Sequence, residues 1–259
     1  MKKTKTTSAA EKRRLLVEQR RNKQLKFVSA LLLIAILAEG LFILAKSDYL
    51  DVRRIDIRGN NRVTTARLAK LAGLTTKTNI FDFSAAEITK RLLSEPWIRF
   101  ATVTRKLPLR VVISVTERQP AAVVLMGGRF YLVDKSAAII EGKDANVYPG
   151  QTVIADAPYE DKKEAGEDFA GPSIRNALAA LGGLDKDLAL AVESMTAPSI
   201  DGMSFKLKGG PIVMYGKSEM IRQKNYAIKV ILKEAANEGK SWQYIDVRVP
   251  SNPAAKAAT

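Results

Sequence analysis

From Phe27 to Ala45 the chain reads FVSALLLIAILAEGLFILA, nineteen residues with one formal charge and no polar face. As a helix rising ~1.5 Å per residue this run spans roughly 28 Å, the thickness of a bilayer's hydrocarbon core. A buried core helix seldom reaches that length without a polar stripe. A cleaved signal peptide would have a shorter apolar stretch ending in an A-x-A-like site, and Leu44-Ala45-Lys46-Ser47 offers none. The pattern predicts a permanent membrane anchor, which makes the lipid bilayer the first expected partner.

Beyond a joint at residues 46–51 the periodicity changes. Val52 to Arg58 becomes strand-like and stops at the turn Gly59-Asn60-Asn61. Thr64 or Thr65 is placed to cap a helix with Leu68, Leu71 and Ala72 on one side and Gly73 as its stop. Asn79-Ile80-Phe81 is expected to re-enter the core. Ser84 caps a second helix, with Glu87 at capping-box spacing, Ile88, Leu92 and Leu93 apolar, and Pro96 at its end. Two β-rich runs, Phe100 to Arg105 and Arg110 to Thr116, then read as a hairpin across residues 106–109. A β-α-α-β-β order lets two amphipathic helices cover one face of a three-stranded sheet, with the strand from Phe100 to Lys106 as its exposed edge.

The second half predicts a mixed sheet. Val123 to Met126 and Arg129 to Val133 form a hairpin around Gly127-Gly128. Residues 156–172 are polar and turn-rich, an expected exposed loop. Short helices are expected over 173–184 and 185–194, and strands over 202–207 and 211–215 around Gly209-Gly210. A long helix comes next, from Ser218 to Asn237, with Met220, Ile221, Ala227, Ile228, Ile231, Leu232 and Ala235 as one stripe and Gly239 as its stop. Tyr244 to Val249 is the last predicted strand, and Pro250 and Pro253 keep the remaining C-terminal residues from forming a central one. The fold class is α+β: a single transmembrane helix, a three-stranded domain, then a mixed-sheet domain with a long C-terminal helix.

Composition narrows the chemistry. The chain contains no cysteine and no histidine, which removes thiol nucleophiles, the usual zinc and haem ligands and every imidazole-based triad. No Gly-x-Ser-x-Gly elbow or phosphate-binding glycine loop is present, and no S-x-x-K pair falls in a predicted folded segment. The carboxylates of residues 156–172 fit no calcium-loop spacing. No catalytic residue, metal site or cofactor is expected. The net charge of +15 resembles a nucleic-acid signal until it is divided: residues 1–26 hold ten basic and two acidic side chains. Their excess over the balanced residues after the apolar run places the N-terminus in the cytoplasm and the remaining 214 residues beyond the membrane, with no nucleic-acid partner. The spacing from Ser8 to Glu11 also permits a helix running up to the membrane. Glu39, beside Gly40, is the one acid within the span. It is either a contact for another transmembrane helix or a neutral, lipid-tolerated glutamate.

The segments IDIRGNNRVT, NIFDF, EPWIRFATVTRKLP, VVISVTERQPAAV and FYLVDKSAAI, in this order, resemble the FtsQ/DivIB family of bacterial division proteins, whose first exported domain is a POTRA module. Ser136 departs from the glycine common in the family. The resemblance implies a cytoplasmic tail (1–26), a transmembrane helix (27–45), a joint (46–51), a POTRA domain (52–118), an FtsQ/DivIB-type β-domain (119–250) and a C-terminal tail (251–259). It implies a non-catalytic divisome assembly factor at the septum that joins early and late division proteins. Expected partners are FtsB/DivIC-type and FtsL-type proteins and other divisome membrane proteins, with a partner strand added to the C-terminal sheet. By motif position the receiving region holds Tyr244, Asp246, Arg248 and Val249, while Pro198-Ser199 replace arginines found in some members. Arg105 and Lys106 are the candidates for recruitment through the POTRA domain. The competing readings are a membrane-anchored POTRA chaperone or secretion component, a wall-polymer binder and a membrane-anchored Ser/Lys hydrolase.

Overall fold

The computed structural model describes residues 9–161 and 163–258, with side chains from residue 23 onward. Ser8, the expected helix cap, lies outside the described residues. Helix α1 (Ala9–Ala45) carries the apolar run. Among the described residues it is the one helix long and apolar enough to cross a membrane, over Lys23–Ala45, and none of its most apolar stretch is buried. The described chain forms two compact units. One takes α1 through Asp56 together with Gly73–Ala85 and Val103–Ile113; the other takes Ile57–Ala72, Ala86–Thr102 and everything from Ser114.

After a single 3₁₀ turn (Asp48–Leu50) the order is β1 (Arg54–Arg58), α2 (Thr65–Ala72), α3 (Ala85–Leu93), β2 (Ile98–Lys106) and β3 (Arg110–Glu117), the predicted β-α-α-β-β series. The strand order β1-β3-β2 leaves β2 at an edge, as expected. Thr64 caps α2 by accepting the Arg67 N–H (3.3 Å), and Gly73 closes it at φ +64°. In the first unit Val52, Ile80, Val111 and Ile113 are buried, but Phe81 and, in the second unit, Leu93 are exposed rather than packed as predicted.

Glu117, at the end of β3, turns its carboxylate onto three successive backbone N–H groups. Asn61 donates at 2.9 Å, Arg62 at 3.0 Å and Val63 at 2.8 Å. Gly59, at φ +83°, makes the approach possible, since a Cβ there would overlap the Val115 carbonyl oxygen.

The second sheet has nine strands in the order β12-β11-β10-β9-β8-β7-β4-β5-β6. They are β4 (Pro120–Met126), β5 (Arg129–Asp134), β6 (Ile139–Lys143), β7 (Val153–Ala155), β8 (Val192–Thr196), β9 (Ser204–Leu207), β10 (Ile212–Met214), β11 (Trp242–Asp246) and β12 (Ala254–Ala257). The β4–β5 hairpin turns on Gly127 and Gly128, both at positive φ, as their sequence predicts. β7 lies parallel to both β4 and β8, and β10 parallel to β11. Helices α4 (Pro172–Gly183), α5 (Lys186–Ala191) and α6 (Ile221–Glu238) complete the unit. Ile174, Ala177 and Leu178 of α4 and Ala227, Ile228 and Ile231 of α6 share one core with Val124, Phe205, Val213 and Ile245 of the sheet.

Four further expectations are corrected. The predicted helix over 185–194 stops at Ala191, because Val192 to Thr196 zips between β7 and β9 as an interior strand. The loop over 156–172 is not wholly exposed. Phe169 is buried edge-on against Tyr131 with centroids 5.4 Å apart, and its N–H donates to the Ala137 carbonyl at 3.0 Å. Met220 leaves the predicted apolar stripe, standing exposed and left-handed (φ +50°) at the start of α6. The sheet also continues beyond the last predicted strand. β12 folds back antiparallel to β11, pairing Ala255 with Ile245 and Ala254 with Asp246, an edge position that the flanking prolines permit.

Candidate functional site

The C-terminal end of the nine-stranded sheet gathers four of the residues singled out in the sequence. β10, α6 and β11 make a parallel β-α-β crossover, so β11 is held by β10 on one side and β12 on the other. Alternation along β11 then sorts its side chains. Ile245 turns into the core beneath α6, while Tyr244 and Asp246 take the opposite face. That face also presents Ile212 and Met214 of β10 and Lys256 of β12 around an open cleft of about 610 Å³.

Strand β11 ends at Asp246 rather than continuing to Val249. Val247 still donates its N–H to the Met214 carbonyl at 3.0 Å, and the chain then turns through Arg248 and Val249, with Asn252 donating to the Val249 carbonyl at 3.0 Å. The Arg248 guanidinium doubles back onto Asp246, with Nη2 2.6 Å from Oδ2 and Nε 3.0 Å from Oδ1, and the Arg248 N–H adds a third donor at 3.0 Å. The Arg248 hydrogen bonds hold the Asp246 carboxyl below its usual range against the opposing effect of burial. Asp246 and Arg248 together separate the 610 Å³ cleft from a second one of about 530 Å³, lined by Lys217, Met220, Lys224 and Val249. Val249 itself is exposed.

Sequence reasoning missed Lys224. It belongs to the buried side of α6 and is only 1% exposed. Its Nζ donates to the carbonyls of Tyr215 (2.8 Å) and Lys217 (2.7 Å) and stands 4.7 Å from the Tyr215 ring centroid. Burial lowers its pKa, opposed by the negative charges of Glu219 and Asp246. The available signal was spacing, because residue 224 falls one turn before Ala227 and Ile228 on the same stripe.

β12 was also missed. It is terminal in the strand order, so its outer margin has no strand neighbour among the described residues. Three of its four residues are alanine and the fourth is Lys256.

Arg105 and Lys106 lie in the other unit, at the end of β2. Arg105 is engaged within that unit: its guanidinium donates to the carbonyls of Ile80 (2.8 Å) and Phe83 and lies 4.3 Å from the Phe83 ring centroid. Lys106 is exposed at the strand tip. Glu39 stands exposed on α1, and Gly40 beside it has open space around its Cα. Among the described residues no three acidic side chains are placed to hold a metal ion.

Residues 50–118 match the FtsQ-type POTRA domain. The chain is similar over most of its length to division proteins of several bacteria. It is 24% identical to the cell division protein DivIB of Clostridium tetani across 86% of this chain and 84% of that protein. It is 23% identical to the cell division protein FtsQ of Corynebacterium glutamicum across 74% of this chain and 82% of that protein. It is 28% identical to the cell division protein FtsQ of Syntrophotalea carbinolica across 78% of this chain and 72% of that protein. A match to the FtsQ-type POTRA domain and similarity over most of its length to FtsQ and DivIB cell division proteins thus come together in one polypeptide that carries an apolar helix near its N-terminus.

Proposed function

We propose that this protein is a non-catalytic assembly factor of the division machinery, which links early and late division proteins at the septum through extracytoplasmic contacts. The observation that carries the reading is the open margin of β12, an alanine-rich strand with no strand on its outer side among the described residues. Unpaired main-chain donors and acceptors on such a margin are a template for a further strand, and small side chains let another backbone come close. A strand supplied by an FtsB/DivIC-type protein, itself paired with an FtsL-type protein, would extend the sheet there. Tyr244 and Asp246 then lie one strand inward on β11, with Arg248 and Val249 in the turn that leads to β12, and the two clefts that share the Asp246–Arg248 pair are pockets for side chains that reach across β12. Lys106, with Arg105 fixing the end of β2, is the corresponding contact for proteins that recruit this one through the POTRA edge. Glu39 and Gly40 are the contact with a neighbouring transmembrane helix. The absence of histidine, cysteine and serine-lysine signatures supports a binding role over catalysis.

Photo-crosslinking tests the reading. A photoreactive amino acid at Ala255 or Lys256 of the full-length chain should capture the FtsB/DivIC-type protein in dividing cells, and Arg248→Glu should weaken its co-purification without altering the circular dichroism spectrum. Capture from neither position, together with full retention by Arg248→Glu, would sink the proposal.

A further inference from the structure

The residues immediately after α1 are fixed in place rather than left as a hinge. Asn79 donates its side-chain amide to the carbonyls of Ala45 (2.9 Å) and Ser47 (3.2 Å), reaching the last turn of the helix. Lys46 pairs with Asp82 at 2.6 Å, Ile80 donates to the Leu50 carbonyl at 2.9 Å, and Val52 to the Thr78 carbonyl at 2.9 Å. Five interactions thus clamp segment 78–82 to the exit of the apolar helix. Phe81 is two residues from the side chain that touches that exit, and two residues reach at most about 7 Å. Tyr49, four residues past Ala45 on the 3₁₀ turn, is equally close to the helix end.

The β2–β3 turn lies at the same end of this unit. Arg53 and Arg54 both donate to the Leu109 carbonyl, at 2.8 and 3.3 Å, beside the start of β1. Arg105 joins the tip of β2 to the 80–83 segment through the Ile80 and Phe83 carbonyls. On this end the aliphatic side chains of Val52 and Ile80 are buried, yet Tyr49 is 78% exposed, Phe81 53% and Leu107 68%. Lys46 and Lys106 stand exposed with them. In water, large apolar side chains clustered at one end of a domain are a cost without a return. At a bilayer's interface aromatic rings and snorkelling lysines are favourable, because one end of each group meets acyl chains and the other meets headgroups.

We propose that this end of the first unit is a membrane-interface anchor, with Tyr49, Phe81 and Leu107 seated among the lipid headgroups and Lys46, at the helix exit, against phospholipid phosphates. The occupant is a lipid surface because the patch is continuous with the exit of the helix, and the headgroup layer begins where the hydrocarbon-spanning helix ends. The inference rests on reading α1 as a membrane span. Its consequence is that β2 is held at a set height and tilt above the bilayer.

The lack of native cysteine makes the test direct. Single nitroxide labels are placed through Leu41→Cys, Phe81→Cys and Leu107→Cys in the full chain, reconstituted in nanodiscs of phosphatidylethanolamine and phosphatidylglycerol. Collision with dissolved oxygen is compared with collision with a water-soluble nickel chelate, and a nitroxide-glutathione adduct serves as the aqueous reference. The labels at 81 and 107 should show an oxygen-to-nickel ratio several-fold above the adduct, below that of position 41. Phe81→Ser should lower the ratio at position 107. If position 41 is shielded while 81 and 107 match the adduct, the interface anchor is overturned and the span stands. If position 41 itself matches the adduct, the span fails and the anchor fails with it.

Discussion

Replacing Glu117 by alanine removes the acceptor for three consecutive backbone donors, and the loss can be sized from their surroundings. Glu117 is 9% exposed and Val63 is buried, whereas Asn61 and Arg62 are exposed and recover water when the carboxylate is gone. A buried donor left without a partner costs about 1–3 kcal/mol, and the two exposed donors lose only the modest net value of an ordinary hydrogen bond, about 1 kcal/mol or less each. The expected loss for Glu117→Ala is therefore about 2–4 kcal/mol, with Glu117→Gln intermediate because one oxygen remains but its charge does not. Burial raises the Glu117 pKa, but the N–H groups of Arg62, Val63 and Asn61 together outweigh it and hold the carboxyl below its ordinary value of 4.5. A depressed carboxyl stabilises the fold above its unfolded-state pKa, and that contribution is lost as pH falls from the ordinary value through the folded one. Urea denaturation of the full chain in mild detergent, monitored by tryptophan fluorescence, reads both effects, since Arg62 stacks 4.6 Å from the Trp97 ring centroid. A Glu117→Ala protein within about 0.5 kcal/mol of the parent, or one with the parent's acid dependence, would refute the clamp.

The same denaturation assay checks three further substitutions. Phe169→Ala should cost about 3–5 kcal/mol, because a fully buried ring against Tyr131 leaves a cavity. Asp134→Asn should cost about 3–5 kcal/mol, since Arg118, 2.7 Å away and largely shielded, is left without its counter-charge. Lys224→Met should cost about 1–3 kcal/mol by leaving the Tyr215 and Lys217 carbonyls unpaired. The folded pKa of Lys224 lies below its ordinary 10.5, so the unfolded chain holds the proton more tightly and stability rises with pH between the two values. That alkaline rise should disappear in Lys224→Met.

The sequence made the periodic elements legible where one cause dominates. The apolar run could only be α1, and Thr64 and Gly73 bracket α2 as their capping chemistry requires. What escaped were elements whose identity is set by partners distant in sequence. Val192–Thr196 is short and mixed in character, and becomes a strand because β7 and β9 offer it ladders on both sides. Phe169 sits in a polar stretch, yet that stretch is stitched to β6, with Ile139 donating to the Glu167 carbonyl and Gly166 to the Ile139 carbonyl. Lys224 reads as a solvated charge until the two carbonyls beneath it are seen to need a donor. The candidate site was half legible: the I-D-V-R run marks the strand end where Asp246 and Arg248 pair, but the alanines of β12 carry no pattern that announces a strand.

That plainness bears on how the proposed partner strand would be recognised by β12. On the face of Ala255 and Ala257 an incoming chain would meet the same surface at each step, so nothing on that face would oppose a slip of two residues, whereas Lys256 follows Ala254 on the other. Alignment would then be chosen by Lys256 and the neighbours, with the Asp246–Arg248 pair as the fixed mark between two hollows. Stickiness and discrimination would thereby be divided between separate parts, and changes at the fixed mark should alter which sequence is accepted more than whether a strand is accepted at all.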